Sequence, residues 1–268
     1  MSSQDHSAVV YQVLGRTLSG SADELTSSIT HLTASGAASP DLVTAAIGFD
    51  TNAVFSMVRS KSAAVIDFLA TQHNGPLVMP GQVLVELWNQ REDLPSIAAK
   101  ISSIVAELER LVDEASSLIS DAELDGLIQT VRGLSWSEVT SLTDAQERLR
   151  LLLNVIRDRG SVGRVPRDSY NAIGRARLDA KVPPGFEDRT KDRGALGDFY
   201  VWADFLVGVR QTNPTAIPAV VFVTNDSKRD WRTTSGRPHP ILCAEVWSLF
   251  SAPLYLLKYE EFRQLCPE

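Results

Sequence analysis

Ala46-Ile47-Gly48-Phe49-Asp50-Thr51-Asn52 is the stretch that decides the fold. A short apolar run ends on a carboxylate and is followed by two small polar residues and an amphipathic segment. That order reads as a buried strand, roughly 46–50, handing over to a helix. Far downstream, Ala219-Val220-Val221-Phe222-Val223-Thr224-Asn225-Asp226 repeats the pattern. In open α/β sheets, ligands bind beyond the carboxyl ends of the strands. Two strands that each end in Asp, with Asn and Thr alongside, are therefore expected to face one site.

Working outward, the chain has 268 residues, 44% hydrophobic and 22% charged, enough for one large α/β domain or a domain with an insertion. Cys243 and Cys266 are far apart and form no CxxC or Cys/His cluster. A zinc site or disulfide framework is not expected, and a reducing cytoplasm is the expected compartment. Met1-Ser2-Ser3-Gln4-Asp5 has no basic region before an apolar core, and no apolar run approaches the roughly 20 residues of a membrane span. The formal net charge of −7 argues against broad coating of nucleic acid. Between Arg157 and Arg193, however, ten Arg/Lys face six Asp/Glu. That basic segment reads either as a solvated loop or as a phosphate-contacting face.

The flanking segments follow from periodicity. Residues 1–44 read as a helical lead-in, with Val9, Val10, Val13 and Leu14, then Leu25, Ile29 and Leu32, at helical spacing. One helix through Phe55, Val58, Ile66 and Leu69 follows the first strand. Leu77-Val78-Met79 forms a second strand, ended by Pro80-Gly81. The next helix carries Val83, Leu84, Leu87 and Trp88 on one face, with Glu86 on its border. Residues 95–159 read as a helical insertion between two parts of one domain, 45–94 and 160–268. Arg159 to Gly197, rich in Gly, Pro, Arg and Asp, reads as a long loop. Phe199, Trp202, Phe205, Leu206 and Val209 share the buried face of the helix beyond it, with Asp198 at its edge and Asp204 pointing away. A helix near Ile241–Phe250, a strand at Leu254–Leu257 and a helix from Glu260 complete the chain.

Four carboxylates stand out: Asp50, Glu86, Asp198 and Asp226. Each is expected at the end of a strand or in the first turn of a helix. Each also has a local explanation: Asp50 and Asp198 as helix caps, Glu86 as a solvated charge, Asp226 as a turn residue. Four acids at corresponding ends of their elements favour a shared site. Clustered carboxylates repel unless a cation neutralises them, and without neighbouring Cys or His, Mg²⁺ or Mn²⁺ suits the oxygen donors.

Phe49-Asp50-Thr51-Asn52, Pro80 to Glu86, Pro184-Gly185-Phe186, Gly197-Asp198 through Trp202, and Phe222-Val223-Thr224-Asn225-Asp226 with Lys228 and Asp230-Trp231 resemble the bacterial PIN-like nucleases of the PIN/FEN-like superfamily. Pro238-His239-Pro240-Ile241-Leu242 resembles their C-terminal region. The resemblance covers roughly 45–92 and 182–258. It implies a PIN-like three-layer α/β/α fold with a central, mainly parallel sheet, a carboxylate-bound Mg²⁺ or Mn²⁺, and cleavage of RNA or single-stranded nucleic acid. By position it makes Asp50, Glu86, Asp198 and Asp226 the metal-binding and catalytic acids. Thr224 and Asn52 match the small polar residues that orient them. The long interval between Glu86 and Asp198 departs from a compact PIN domain.

The expected chemistry is metal-assisted phosphodiester hydrolysis, most directly by an endoribonuclease, with no protein nucleophile. Asn52, Thr224, Asn225, Lys191, Arg193 and Lys228 are the candidate substrate contacts, and His239, between two prolines, is expected to be structural. A rival reading is a phosphatase of the haloacid-dehalogenase type, since Asp50-Thr51-Asn52 is similar to its nucleophile loop and Asp226 with Asp230 to its metal-binding acids. Asn52 stands where that family has a general-acid Asp. A third reading is a non-catalytic nucleic-acid or protein-binding module. In it the insertion serves as a docking surface for a partner, in a toxin or defence system; a homodimer stays open. The tryptophans are expected in the core, with Trp231 singled out as a candidate base-stacking platform.

Overall fold

The computed structural model describes residues 3–16, 22, 26, 39–60, 62–89, 110, 142–188, 194–212 and 216–267. Five short strands, β1 (Ala46–Phe49), β2 (Leu77–Pro80), β3 (Ser161–Gly163), β4 (Val220–Val223) and β5 (Leu254–Leu257), form one sheet in the order β3-β2-β1-β4-β5. All four pairings are parallel, with Ile47 beside Val221 and Leu77, and Phe222 beside Leu256. β1, β2 and β4 are buried at every residue, which is why they read as continuous apolar runs rather than alternating ones.

Helices cover both faces and give three layers. On one side α7 (Gly197–Gln211) lies on β2 and β3, and α1 (Ser3–Arg16) packs on α7, on α6 (Arg167–Asp179) and on α8 (Pro240–Phe250). On the other, α5 (Leu142–Arg159) crosses β2 and β3 and touches α2 (Thr51–Arg59) and α3 (Ala64–Thr71), while α9 (Tyr259–Leu265) packs on α2. The remaining helix, α4 (Gly81–Asn89), bridges α2 and α7. A single apolar core runs through the sheet and includes Val10 and Leu14 of α1 and Leu152 and Ile156 of α5. From β1 the chain steps outward to β2 and β3, then returns to the other side of β1 for β4 and β5. The carboxyl ends of β1 and β4 therefore flank the point where the strand order reverses, the place where such sheets open a crevice.

Several sequence readings are corrected. The long loop from Arg159 to Gly197 contains β3 and α6; Tyr170, Ile173, Arg177 and Leu178 make the buried stripe of α6, and Arg177 conceals it by supplying an apolar-facing position with a charged residue. The single helix after β1 is two, broken at Ser60–Ala63, and Ser60 caps α2 through a backbone bond to Met57. Trp88 is 70% exposed on α4. Asp204 is fully buried, because α7 is enclosed on all sides from Val201 to Val209 and has no solvent face for it. The second lead-in helix and most of 95–141 lie outside the described residues. Among the described residues no helix is long and apolar enough to cross a membrane.

α7 reaches the sheet through two glycines. A Cβ on Gly163 would collide with the Asp204 carbonyl oxygen and lie 2.7 Å from the Cα of Gly208, and one on Gly208 would collide with Val78. Backbone cannot yield as a side chain can. Gly163→Ala is expected to cost about 3 kcal/mol or more, the upper end of overpacking penalties, read as a fall in the urea midpoint with an unchanged slope.

Candidate active site

Asp50 leaves β1 as the N-cap of α2. Its Oδ1 accepts the Thr51 N–H at 2.7 Å and its Oδ2 the Thr224 hydroxyl at 3.0 Å. The same hydroxyl accepts the Asp226 N–H at 3.1 Å, so Thr224 ties the tip of β1 to the loop after β4. Glu86 is fixed from two sides: the Thr51 hydroxyl donates to Oε2 at 2.5 Å, and Gln82, one turn earlier on α4, donates to Oε1 at 3.1 Å. Asp198 lies in the first turn of α7. The Trp231 indole N–H reaches its Oδ2 at 3.4 Å.

Asp226 closes the ring through Lys228. The Lys228 backbone N–H donates to Asp226 Oδ1 at 2.8 Å. Its ammonium lies 3.1 Å from Asp226 Oδ2, 3.5 Å from Asp198 Oδ2 and 3.1 Å from Oδ2 of Asp188, an acid that the sequence reading did not select. Asp188 ends the short 3-10 turn Phe186–Asp188. That turn is held by Asp230, whose Oδ2 accepts the N–H groups of Gly185 at 3.0 Å and Glu187 at 3.1 Å. Arg232 braces the loop from beneath, donating to the carbonyls of Thr224, Asp226, Gly236 and Leu256.

Asp50, Glu86, Asp188, Asp198, Asp226 and Lys228 line one cleft of about 840 Å³, with Thr51, Asn52 and Gln82 on the same wall. Asn171 and Arg175, one turn apart on α6, line it as well. They escaped the sequence reading because their helix was taken for a loop; the Phe186-Glu187-Asp188 run beside Pro184-Gly185 was the available signal for Asp188. Burial, with the repulsion of Asp198 and Glu86 added, pushes the Asp50 carboxyl up to about 7 against the pull of its hydrogen bonds. Burial likewise raises Asp198 to about 6, with Lys228 opposing and Asp188, Asp226 and Asp230 adding to the rise. Burial disfavours the charge on Lys228, but the surrounding carboxylates outweigh it and hold the ammonium above its usual range.

The other candidates fall elsewhere. Thr224 is fully buried, an orienting group for Asp50. Asn225 turns out of the cleft, donating to Ser56 Oγ at 2.8 Å and accepting the Tyr259 N–H at 3.0 Å, and so joins α2 to α9. Lys191 and Arg193 lie outside the described residues. Trp231 is 1% exposed and stacked on Phe222 at 5.4 Å, which removes it as a base-stacking platform. His239 caps α8, its Nδ1 accepting the Ile241 N–H at 3.3 Å. Asp204 belongs to the frame: it takes both Nη groups of Arg167 at 2.7 and 2.8 Å and the N–H groups of Val165 and Gln82 at 2.8 Å, which fixes the start of α4 against α7. Cys243 and Cys266 are both free thiols.

Among the described residues no three His, Cys, Asp or Glu side chains are drawn together closely enough to ligate one ion. The Lys228 contacts give the reason. Oxygens held 3.1–3.5 Å from an ammonium nitrogen stand about 1 Å farther out than the roughly 2.1 Å of a Mg²⁺ ligand. The donor chemistry nonetheless fits such a cation: all oxygen, formally anionic, and strained by mutual repulsion that a divalent charge relieves.

No curated protein and no solved structure matches the chain. A family model does, over residues 167–240, and its description is PIN like domain. The matched segment runs from α6 through the Asp188 turn, α7 and β4 to the loop that carries Asp226, Lys228 and Asp230. Asp50 and Glu86 lie outside it and join it through the cleft. Over residues 167–240 the chain is therefore similar to the PIN-like domain family, and its parallel three-layer architecture agrees with that likeness.

Proposed function

We propose that the chain is a metal-dependent nuclease, most directly an endoribonuclease, that hydrolyses phosphodiester bonds in the cleft at the ends of β1 and β4. The observation that carries this reading is the convergence of Asp50, Glu86, Asp198 and Asp226, from four separate elements, on one open cleft. Those four acids would hold Mg²⁺ or Mn²⁺. Bound there, the ion supplies an activated water and neutralises charge on the phosphate and the leaving oxygen. The chain's own groups fix the acids: Thr224 orients Asp50, and Thr51 with Gln82 orients Glu86. Asn52, exposed at the rim, and Arg175 with Asn171 on α6 are placed to meet the phosphates and sugars of a single strand. A cleft lined by few cationic residues on an acidic protein suits one strand of RNA or single-stranded DNA, rather than duplex coating.

The phosphatase reading fares less well on the geometry. Both Asp50 oxygens already accept hydrogen bonds, and Asp230 is turned to the amides of Gly185 and Glu187 instead of the cleft. We further propose the cytoplasm as compartment, residues 45–94 and 160–268 completed by α1 and α5, which share their core, as the nuclease unit, and the part of the expected insertion before α5 as a segment that docks a protein partner, in the manner of a regulated toxin or defence nuclease.

Incubation with total RNA and with single-stranded DNA, with Mn²⁺ and with chelator, tests the activity directly. Asp226→Asn keeps the acceptor for the Lys228 N–H and is expected to fold as the wild type by circular dichroism while cutting at least about 100-fold more slowly, the scale of losing a metal-held charge. Equal rates in the two proteins would refute the site.

The carboxyl shifts give a second test. Asp50 binds its proton more tightly in the folded chain than in the unfolded one, so the metal-free protein loses stability as pH rises from about 4 to about 7. In chelator at pH 8, Asp50→Asn is expected to be more stable than wild type by roughly 1–3 kcal/mol in urea melts, the gap closing toward pH 4. A gap that is absent at pH 8, or that widens in acid, would contradict the burial and repulsion described.

A further inference from the structure

The Lys228 ammonium stands where the acids on three sides most need a positive charge. Asp188, Asp198 and Asp226 each direct an Oδ2 at it, from a 3-10 turn, a helix start and a loop that are distant in sequence. Its side chain is about one-third exposed, so it is partly withdrawn from water. A single charge faces three, and the Asp50–Glu86 pair on the same cleft wall adds two more acids. This is a cation position filled by the chain itself.

The surroundings allow the ammonium to leave without dismantling the loop. The backbone N–H of Lys228 is held by Asp226 Oδ1, and the loop's carbonyls at Thr224 and Asp226 are held by Arg232. Neither bond uses Nζ. The four-carbon stem can therefore swing while its root stays fixed. Replacing an ammonium by a divalent ion exchanges one charge for two and longer contacts for shorter ones, and the acids move inward by about 1 Å.

Resting on the metal-dependent reading above, we infer that Lys228 is a built-in, displaceable counter-ion: its ammonium occupies the cation position between Asp188, Asp198 and Asp226, and a divalent ion takes that position by expelling it. Asp188 thereby becomes a fifth acid of the site. The lysine is a positioning residue that keeps the metal-free acids together and sets how much free divalent ion the site requires.

Two measurements on the full chain test this. Mn²⁺ binding is titrated by calorimetry on wild type, Lys228→Met and Lys228→Gln, each checked for folding by circular dichroism. With no ammonium to expel, both variants are expected to bind Mn²⁺ about tenfold or more tightly. In the wild type, acetylation of lysines by an amine-reactive reagent is mapped by mass spectrometry with and without Mn²⁺, and labelling of Lys228 is expected to rise several-fold on adding the ion while that of Lys258 stays constant. This arm needs no variant to fold. Unchanged or weaker Mn²⁺ binding in folded variants, or unchanged or lower labelling of Lys228 in a wild type that binds Mn²⁺, overturns the displacement and leaves the metal-dependent reading standing. If neither wild type nor variants bind Mn²⁺, both fall together.

Discussion

Crowded negative charge is the constraint on which the rest of this structure depends. Carboxylates from β1, α4, the Asp188 turn, α7 and the loop after β4 are brought to one cleft, where burial and the charge of neighbouring acids raise the cost of ionising Asp50 and Asp198. Nothing in their own chemistry holds them there. The scaffold does it: Thr224 joins β1 to the following loop, Asp230 joins that loop to the Asp188 turn, and Arg232 spans four carbonyls beneath it. The site is thus a set of mutually repelling groups restrained by hydrogen bonds from the surrounding scaffold, with one ammonium among them.

A second tier of buried charge fixes the helices that carry the acids. Asp204 accepts from Arg167 and from two backbone amides, so α4, α6 and α7 share one carboxylate. Glu245 of α8 pairs with Arg177 of α6 at 2.7 Å and accepts the Trp202 indole N–H of α7 at 2.8 Å. Both acids are fully buried and use both of their oxygens. Such pairs add little net stability over apolar packing, but losing one partner strands a charge and costs about 3–5 kcal/mol. Their value here is register: they set the rotation of α7, which aims Asp198 into the cleft.

The sheet was legible because its strands are buried on both faces. β1, β2, β4 and β5 appear as short apolar runs ended by Asp, Pro or Lys, and their bounds agree with the structure to within a residue. Asp50, Glu86, Asp198 and Asp226 were selected by the same logic, since strand ends and helix starts converge geometrically, and all four line the one cleft. What stayed hidden depended on contacts across the fold. Arg177 and Asp204 look like surface charges until their partners are known. Three-residue β3 gives almost no periodicity, and Asp188 acquires its place only through Asp230 and Lys228. Trp88 misled in the opposite sense, because a helical wheel assigns it to the apolar stripe of α4 although its side chain is largely exposed.

Arg177 reaches beyond the Glu245 pair. Its Nη1 also donates to the carbonyl of Leu14 at 2.8 Å, in the last turns of α1, and the Tyr170 hydroxyl donates to the carbonyl of Ser7 in the same helix. With Val10 and Leu14 wholly enclosed, α1 serves as a wall of the interior, not a leader to it. Shortening the polypeptide to begin at the first strand would uncover a greasy slot along α7 and rob a guanidinium of one acceptor and a phenol of its own. The smallest autonomous version of this protein accordingly keeps its opening helix, however far that helix lies from the acidic cleft.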